Sequence, residues 1–365
     1  MPDCPLSLEA LPPNLRKHVD PAAPKALRGM AAKGLVPMAP PQFATALFML
    51  SFDGDLEISE QALKTAAGLP ERILASALRD AELAPAALDF FAGVLAGKES
   101  CLEWICLNVA TSDATVARIA ADGSEKICEV ISQNQLRLLR HDPLLRALLT
   151  NPRALKSTVD GVADFAVRSG VQLDDLPALV EARRRVFGEA PPPPEVAATA
   201  EELVAEFGVG DDAAQPLEEG KRLTLVQRMM KMSVSQKIKL ATLGNKEARV
   251  LLLRDSNKLV AMAAVQSPRM TDGEVLAIAN SRTAHEDVLR CVYNSREWTK
   301  GYQIKMALVK NPKVPLPTAM RFLPLLRDAD IRELARNKNV PGGVQNQARV
   351  MVAKKEAPKT GGGGH

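Results

Sequence analysis

The chain has 365 residues, 46% apolar and 25% charged with only 4% aromatic, a balance that excludes a disordered polymer and leaves a core of Leu, Val, Ala, Ile and Met. Its longest apolar run, residues 43–50, is far short of the roughly 20 residues that a bilayer span requires, and early prolines with Asp3 stand where a secretory leader has a basic start and an apolar stretch, so no membrane and a cytoplasmic location are expected. The net charge of +4 conceals a division: residues 221–355 hold 26 Lys and Arg against 10 Asp and Glu, whereas residues 1–220 hold 20 against 32.

Residues 1–42 contain nine prolines and are expected to form a Pro-rich irregular segment. Residues 43–188 read as an acidic helical domain. Gly68-Leu69-Pro70 stops one helix and starts another that carries Ile73, Leu74, Ala77 and Leu78. Residues 87–155 alternate short apolar helices with Asn, Asp-Gly or Asn-Pro turns, and nowhere does β-branched alternation meet hairpin turns. Five cysteines (Cys4, Cys101, Cys106, Cys128, Cys291) form no CxxC pair, and Cys101 and Cys106 point to different helix faces. They read as small buried hydrophobes, with no metal or cofactor implied.

Residues 189–220, EAPPPPEVAATAEELVAEFGVGDDAAQPLEEG, hold nine acids and no Lys or Arg. They read as an acidic Pro-rich linker with a polyproline start and one short helix around Ala200–Phe207. Such a segment is expected to fold back over the basic half, so that deleting 191–219 raises affinity for an anionic partner. Residues 356–365 read as a disordered tail.

In the basic domain, 221–355, Thr271-Asp-Gly-Glu274 and Thr283-Ala-His-Glu286 both have the capping-box spelling. Helically spaced apolar residues follow: Val275, Leu276 and Ala279, then Val288, Leu289 and Val292. One stop then recurs in variant form, as Ser267-Pro268-Arg269, Asn280-Ser281-Arg282, Asn294-Ser295-Arg296, Lys310-Asn311-Pro312-Lys313 and Asn337; Asn151-Pro152-Arg153 repeats it upstream. Asn tolerates the left-handed conformation that ends a helix, and Pro cannot continue one. A cation beside the last carbonyls meets the helix dipole, worth about 0.3–1 kcal/mol. Stops at 267, 280, 294, 311 and 337 are spaced for helix pairs of 26 to 31 residues, and one such pair cannot bury its apolar face alone. The expected fold is all-α: an α-solenoid of short antiparallel helix pairs, in two helical domains joined by the linker.

The stretch YQIKMALVKNPKVPLPTAMRFLPLL (302–326), with IRELARNKNVPGGV (331–344) as a degenerate second copy, resembles the HEAT-like and leucine-rich-repeat-variant families of bacterial solenoids over about 220–355. Such solenoids serve many roles. The resemblance to the variant repeats would imply an N-terminal iron–sulfur module, but no four clustered cysteines are present to hold one.

Nothing points to an enzyme. The sequence lacks HExxH, Walker, GxGxxG and GxSxG motifs, and His285-Glu286-Asp287 occupies adjacent helical positions that face apart. Three of the four Tyr and Trp residues fall in YNSREWTKGY, as Tyr293, Trp298 and Tyr302, interleaved with Arg296 and Lys300. They either fill a gap between repeats or form a hot spot. With Lys305, Lys310, Lys313, Arg249, Arg254 and Arg282 they are the candidate partner contacts. The expected ligand is an acidic protein docked by the basic half, with nucleic acid on the same surface as the alternative.

Overall fold

The computed structural model describes residues 4–188, 202 and 219–356. The expected linker and tail lie outside these, apart from Glu202 and the two linker residues that open the helix Glu219–Lys231, and Glu356, which ends the helix Gly342–Glu356. Among the described residues every regular element is helical, with 23 α-helices, three 3-10 turns and no strand. The chain divides into two compact units, Met1–Arg168 with Gln172–Pro191, and Ser169–Val171 with Pro192–His365.

In the first unit the helices from Lys25–Ala32 to Glu99–Leu107 each pack on the second one along the chain, and from Asp113 the step lengthens to the third. Pro40–Leu50, Glu71–Leu78, Glu99–Leu107 and Glu125–Ser132 make one row; Leu56–Gly68, Pro85–Val94, Asp113–Asp122 and Asp142–Thr150 make the other. Leu47, Leu74, Leu88, Ile105, Ile127 and Leu145, from both rows, are buried. Helices of about ten residues bury too little alone, so each depends on its neighbours.

The described part of the first segment, residues 4–42, is not irregular throughout. A 3-10 turn Leu8–Ala10 and helices Pro13–Arg16 and Lys25–Ala32 bury Leu11, Leu15, Ala31 and Ala32, and the following helix, Pro40–Leu50, already starts before residue 43. The prolines misled because they stand at helix starts: Pro12 and Pro24 are N-caps, and Pro13 and Pro40 are first helical residues, where the missing N–H costs nothing.

In the second unit Val234–Leu243, Lys258–Val265 and Glu286–Asn294 stack in one row, and Asp272–Asn280 stacks on Tyr302–Lys310. Val265, Val275, Leu289, Leu308, Leu323 and Leu334 belong to one core, closed by Val344 and Ala348 of Gly342–Glu356. Ion pairs join neighbouring layers in both units: Arg28 with Asp53, Arg118 with Asp89 (2.7 Å), Arg140 with Asp113 (2.6 Å), Lys237 with Asp255 (2.8 Å) and Lys258 with Asp287 (2.7 Å).

The recurring stop works differently from its spelling. No described non-glycine residue has a positive φ, and Asn151, Asn311 and Asn337 end their helices in extended backbone. The Asn311 Nδ2 donates to the carbonyls of Ala279 (2.8 Å) and Ser281 (3.0 Å), one layer upstream, while its Oδ1 accepts from the Lys313 amide (2.9 Å). Asn151 does the same toward Ala120 and Gly123 (2.7 and 3.0 Å), and Asn108 toward Leu78 and Asp80 (2.7 and 2.9 Å). The amide therefore satisfies carbonyls at and just past the end of an upstream helix and fixes the register of one layer on the next.

At three of the stops the attached cation likewise reaches upstream rather than to its own helix. Arg153 donates to the Asp122 carbonyl (2.9 Å), Arg269 to Leu243 (3.0 Å) and Lys313 to Ala284 (2.9 Å). At Asn280 and Asn294 the helix runs one residue further, so Ser281 and Ser295 are the caps. The box at Thr271 and Glu274 forms as spelled. That at Thr283 does not: the Ser281 hydroxyl accepts from the amides of Thr283 (3.3 Å) and Ala284 (3.2 Å), which holds the chain in a turn until His285 becomes the N-cap.

Candidate partner-binding surface

Asp272–Asn280 has nine residues, a length of about 13 Å at 1.5 Å per residue, so the loops at its two ends lie on opposite edges of the second unit. One edge gathers loops 253–257, 281–285, 311–315 and 337–341. The His285 Nε2 hydrogen-bonds the Asp255 carbonyl (2.9 Å), Asn311 reaches Ser281, Lys313 reaches Ala284, and Arg282 donates to the Asn339 carbonyl (3.4 Å). Exposed Arg254, Arg282, Lys313 and Lys338 all stand on it. The other edge gathers Arg269, Arg296, Lys300, Arg321 and Arg327, interrupted by Glu297, Asp328 and Asp330.

The aromatic group lies mainly on this second edge and packs inward. Tyr293, Trp298 and Tyr302 all touch the core. The Tyr302 hydroxyl donates to Asp330 and accepts from the Arg327 amide (3.0 Å), with the Arg327 guanidinium 4.7 Å above its ring. Burial, and then the Asp330 carboxylate, hold that phenol above its usual pKa. The neighbouring Tyr293 hydroxyl, and then Asp287, hold the Arg290 guanidinium above the usual value. The Tyr302 ring is thus secured by neighbouring side chains; half-buried Trp298 heads the 3-10 turn Trp298–Lys300.

Of the remaining candidates, Arg249 must be removed from the surface. It is fully buried, donates to both oxygens of Glu274 (3.0 and 3.1 Å) and to the Gly244 carbonyl (3.2 Å), and Glu274 in turn accepts from the Thr271 amide (2.9 Å) and hydroxyl (2.8 Å). A guanidinium reaches such a depth only with its donors satisfied; helical spacing from Ala248 and Leu252 was the available sign that it faces inward. Lys310 pairs with Glu333 (3.2 Å) and Lys305 is half-buried. Arg254, Arg282, Lys313, Arg296 and Lys300 are exposed. Sequence reasoning passed over Lys338, although Asn337-Lys338 repeats the spelling of the stop.

Several carboxylates of this unit are already engaged. The Lys258 ammonium holds Asp287 below the usual carboxylate value, and Lys355 does the same to Asp328.

Among the described residues no group of three or more His, Cys, Asp or Glu side chains is placed to hold a metal ion, and no helix is long and apolar enough to cross a membrane. Cys101, Cys106 and Cys128 are buried, and burial pushes the Cys106 thiol up to about 12. Because the thiolate is the reactive form, Cys106 is expected to resist a thiol reagent at neutral pH until the chain unfolds, whereas partly exposed Cys4 reacts first; mass spectrometry of the labelled protein checks this. Comparison with protein-family models, curated proteins and solved structures finds no match.

Proposed function

We propose that the chain is a non-catalytic interaction scaffold, an α-solenoid of the HEAT-like kind, whose basic second unit docks an acidic partner protein. The observation that carries this reading is where the unit's carboxylates go. Residues 221–355 have 10 acids for 26 cations, and Asp255, Glu274, Asp287, Asp328 and Glu333 are already ion-paired within the unit. Exposed Lys and Arg therefore outnumber the acids left to answer them, and the unit presents a positive potential that draws an anionic face.

Nucleic acid would use the same potential, but base stacking calls for open aromatic faces; the Tyr302 ring is covered by Arg327 and held by Asp330, and Tyr293 and Trp298 pack against the core. The test is retention of the full chain on immobilised poly-glutamate. Elution by salt is expected, without displacement by an equal charge of single-stranded oligothymidylate; passage without retention at low salt would refute the reading.

A further inference from the structure

We infer that the partner seats a short carboxylate-rich segment on one edge of the second unit, across Arg282, Lys313, Arg336 and Lys338; this deepens the reading above and rests on it. Loops 281–285, 311–315 and 337–341, read as SRTAH, NPKVP and NKNVP, contain no carboxylate. Arg282 reaches the carbonyl of Asn339, 57 residues away, and Lys313 reaches that of Ala284, so three loops from different layers bring their cations to one area. The carbonyls orient these cations without neutralising them: an ammonium has three donors and a guanidinium five, and each is shown using one on a loop carbonyl. Like charges drawn together this way repel, and an anion from outside relieves the repulsion.

Beside this edge lies a shallow depression of about 510 Å³ lined by Ala329, Arg332, Glu333, Arg336 and Asn337, where Glu333 is paired with Lys310. Loop amides contribute little to recognition, because those of Thr283, Ala284, Lys313 and Asn339 are taken by the side chains of Ser281, Asn311 and Asn337. The three loops contain no Phe, Tyr or Trp to stack a base, and the half-buried His285 ring is tied to the Asp255 carbonyl. What is left is recognition by side-chain charge over a small area, which suits neighbouring Asp and Glu side chains of an extended acidic peptide.

The experiment uses the full chain and fluorescein-labelled octaglutamate, read by anisotropy. R282Q/K313Q/K338Q is expected to weaken binding about tenfold, because each exposed ion pair contributes less than that alone; R296Q/K300Q, on the opposite edge, is expected to leave it unchanged. K338Q/R336Q, which disturbs neither inter-layer carbonyl contact, should weaken binding about threefold with an unaltered thermal midpoint. Equal loss in the two edge variants, or no loss in the triple variant, overturns the assignment while the scaffold reading stands. Tighter binding of oligothymidylate, lost in the triple variant, would assign the edge to nucleic acid instead. Absence of octaglutamate binding by the wild-type chain would remove both this inference and the reading beneath it.

Discussion

Truncating Glu274 to Ala is expected to lower the stability of the second unit by about 3–5 kcal/mol, the cost of leaving a buried charge without its partner. Arg249 is 0% and Glu274 1% exposed at the side chain, so water cannot replace the lost carboxylate. The same change strips the start of Asp272–Asn280, since Glu274 also accepts from the Thr271 amide. With domain stabilities of about 5–15 kcal/mol, a loss of this size removes a large fraction of the total. Urea unfolding followed by circular dichroism measures it. The double change R249M/E274L is expected to recover most of the loss, because apolar side chains of similar volume carry no desolvation penalty. If the double variant were as unstable as E274A, the pair would have to be supporting the fold through something other than mutual neutralisation.

Asn311→Ala is expected to cost about 2–4 kcal/mol, since it leaves the Ala279 and Ser281 carbonyls unpartnered at about 1–3 kcal/mol each. It also releases the turn that the Asn311 Oδ1 makes with the Lys313 amide. Asn280→Ala is the informative control. Its side chain is exposed and only returns to the Leu276 carbonyl of its own helix, so the change should stay within about 0.5 kcal/mol. Two asparagines spelled into the same stop would thus differ severalfold in effect, as the inter-layer role requires. Comparable losses at both positions would mean that the side chain acts merely as a local helix terminator.

That contrast shows where the sequence was legible. Helix existence, the absence of β alternation and the pairing cadence followed from local rules, because Thr271 with Glu274 and Val275 with Ala279 act within one turn of each other. The function of Asn311 could not be read the same way: its partners are about thirty residues away, and only the stacked layers bring those carbonyls within reach. The prolines before residue 42 failed for a related reason, since a proline at a helix start and one in an irregular segment are spelled alike. The candidate surface was half legible. Charge segregation between the two halves was plain in the composition, but depth was not, so Arg249 was placed outside although it is buried against Glu274. The grouping of Arg282, Lys313 and Lys338 required the bond from Arg282 to Asn339, which no linear spacing announces.

The most direct test of the docking claim is a titration of the full-length chain with labelled octaglutamate at two salt concentrations. Binding that is clearly measurable at low salt, weakens steeply as salt rises, and exceeds that of an oligothymidylate of equal charge is the predicted result. No binding at low salt, or a preference for the oligothymidylate, would contradict it.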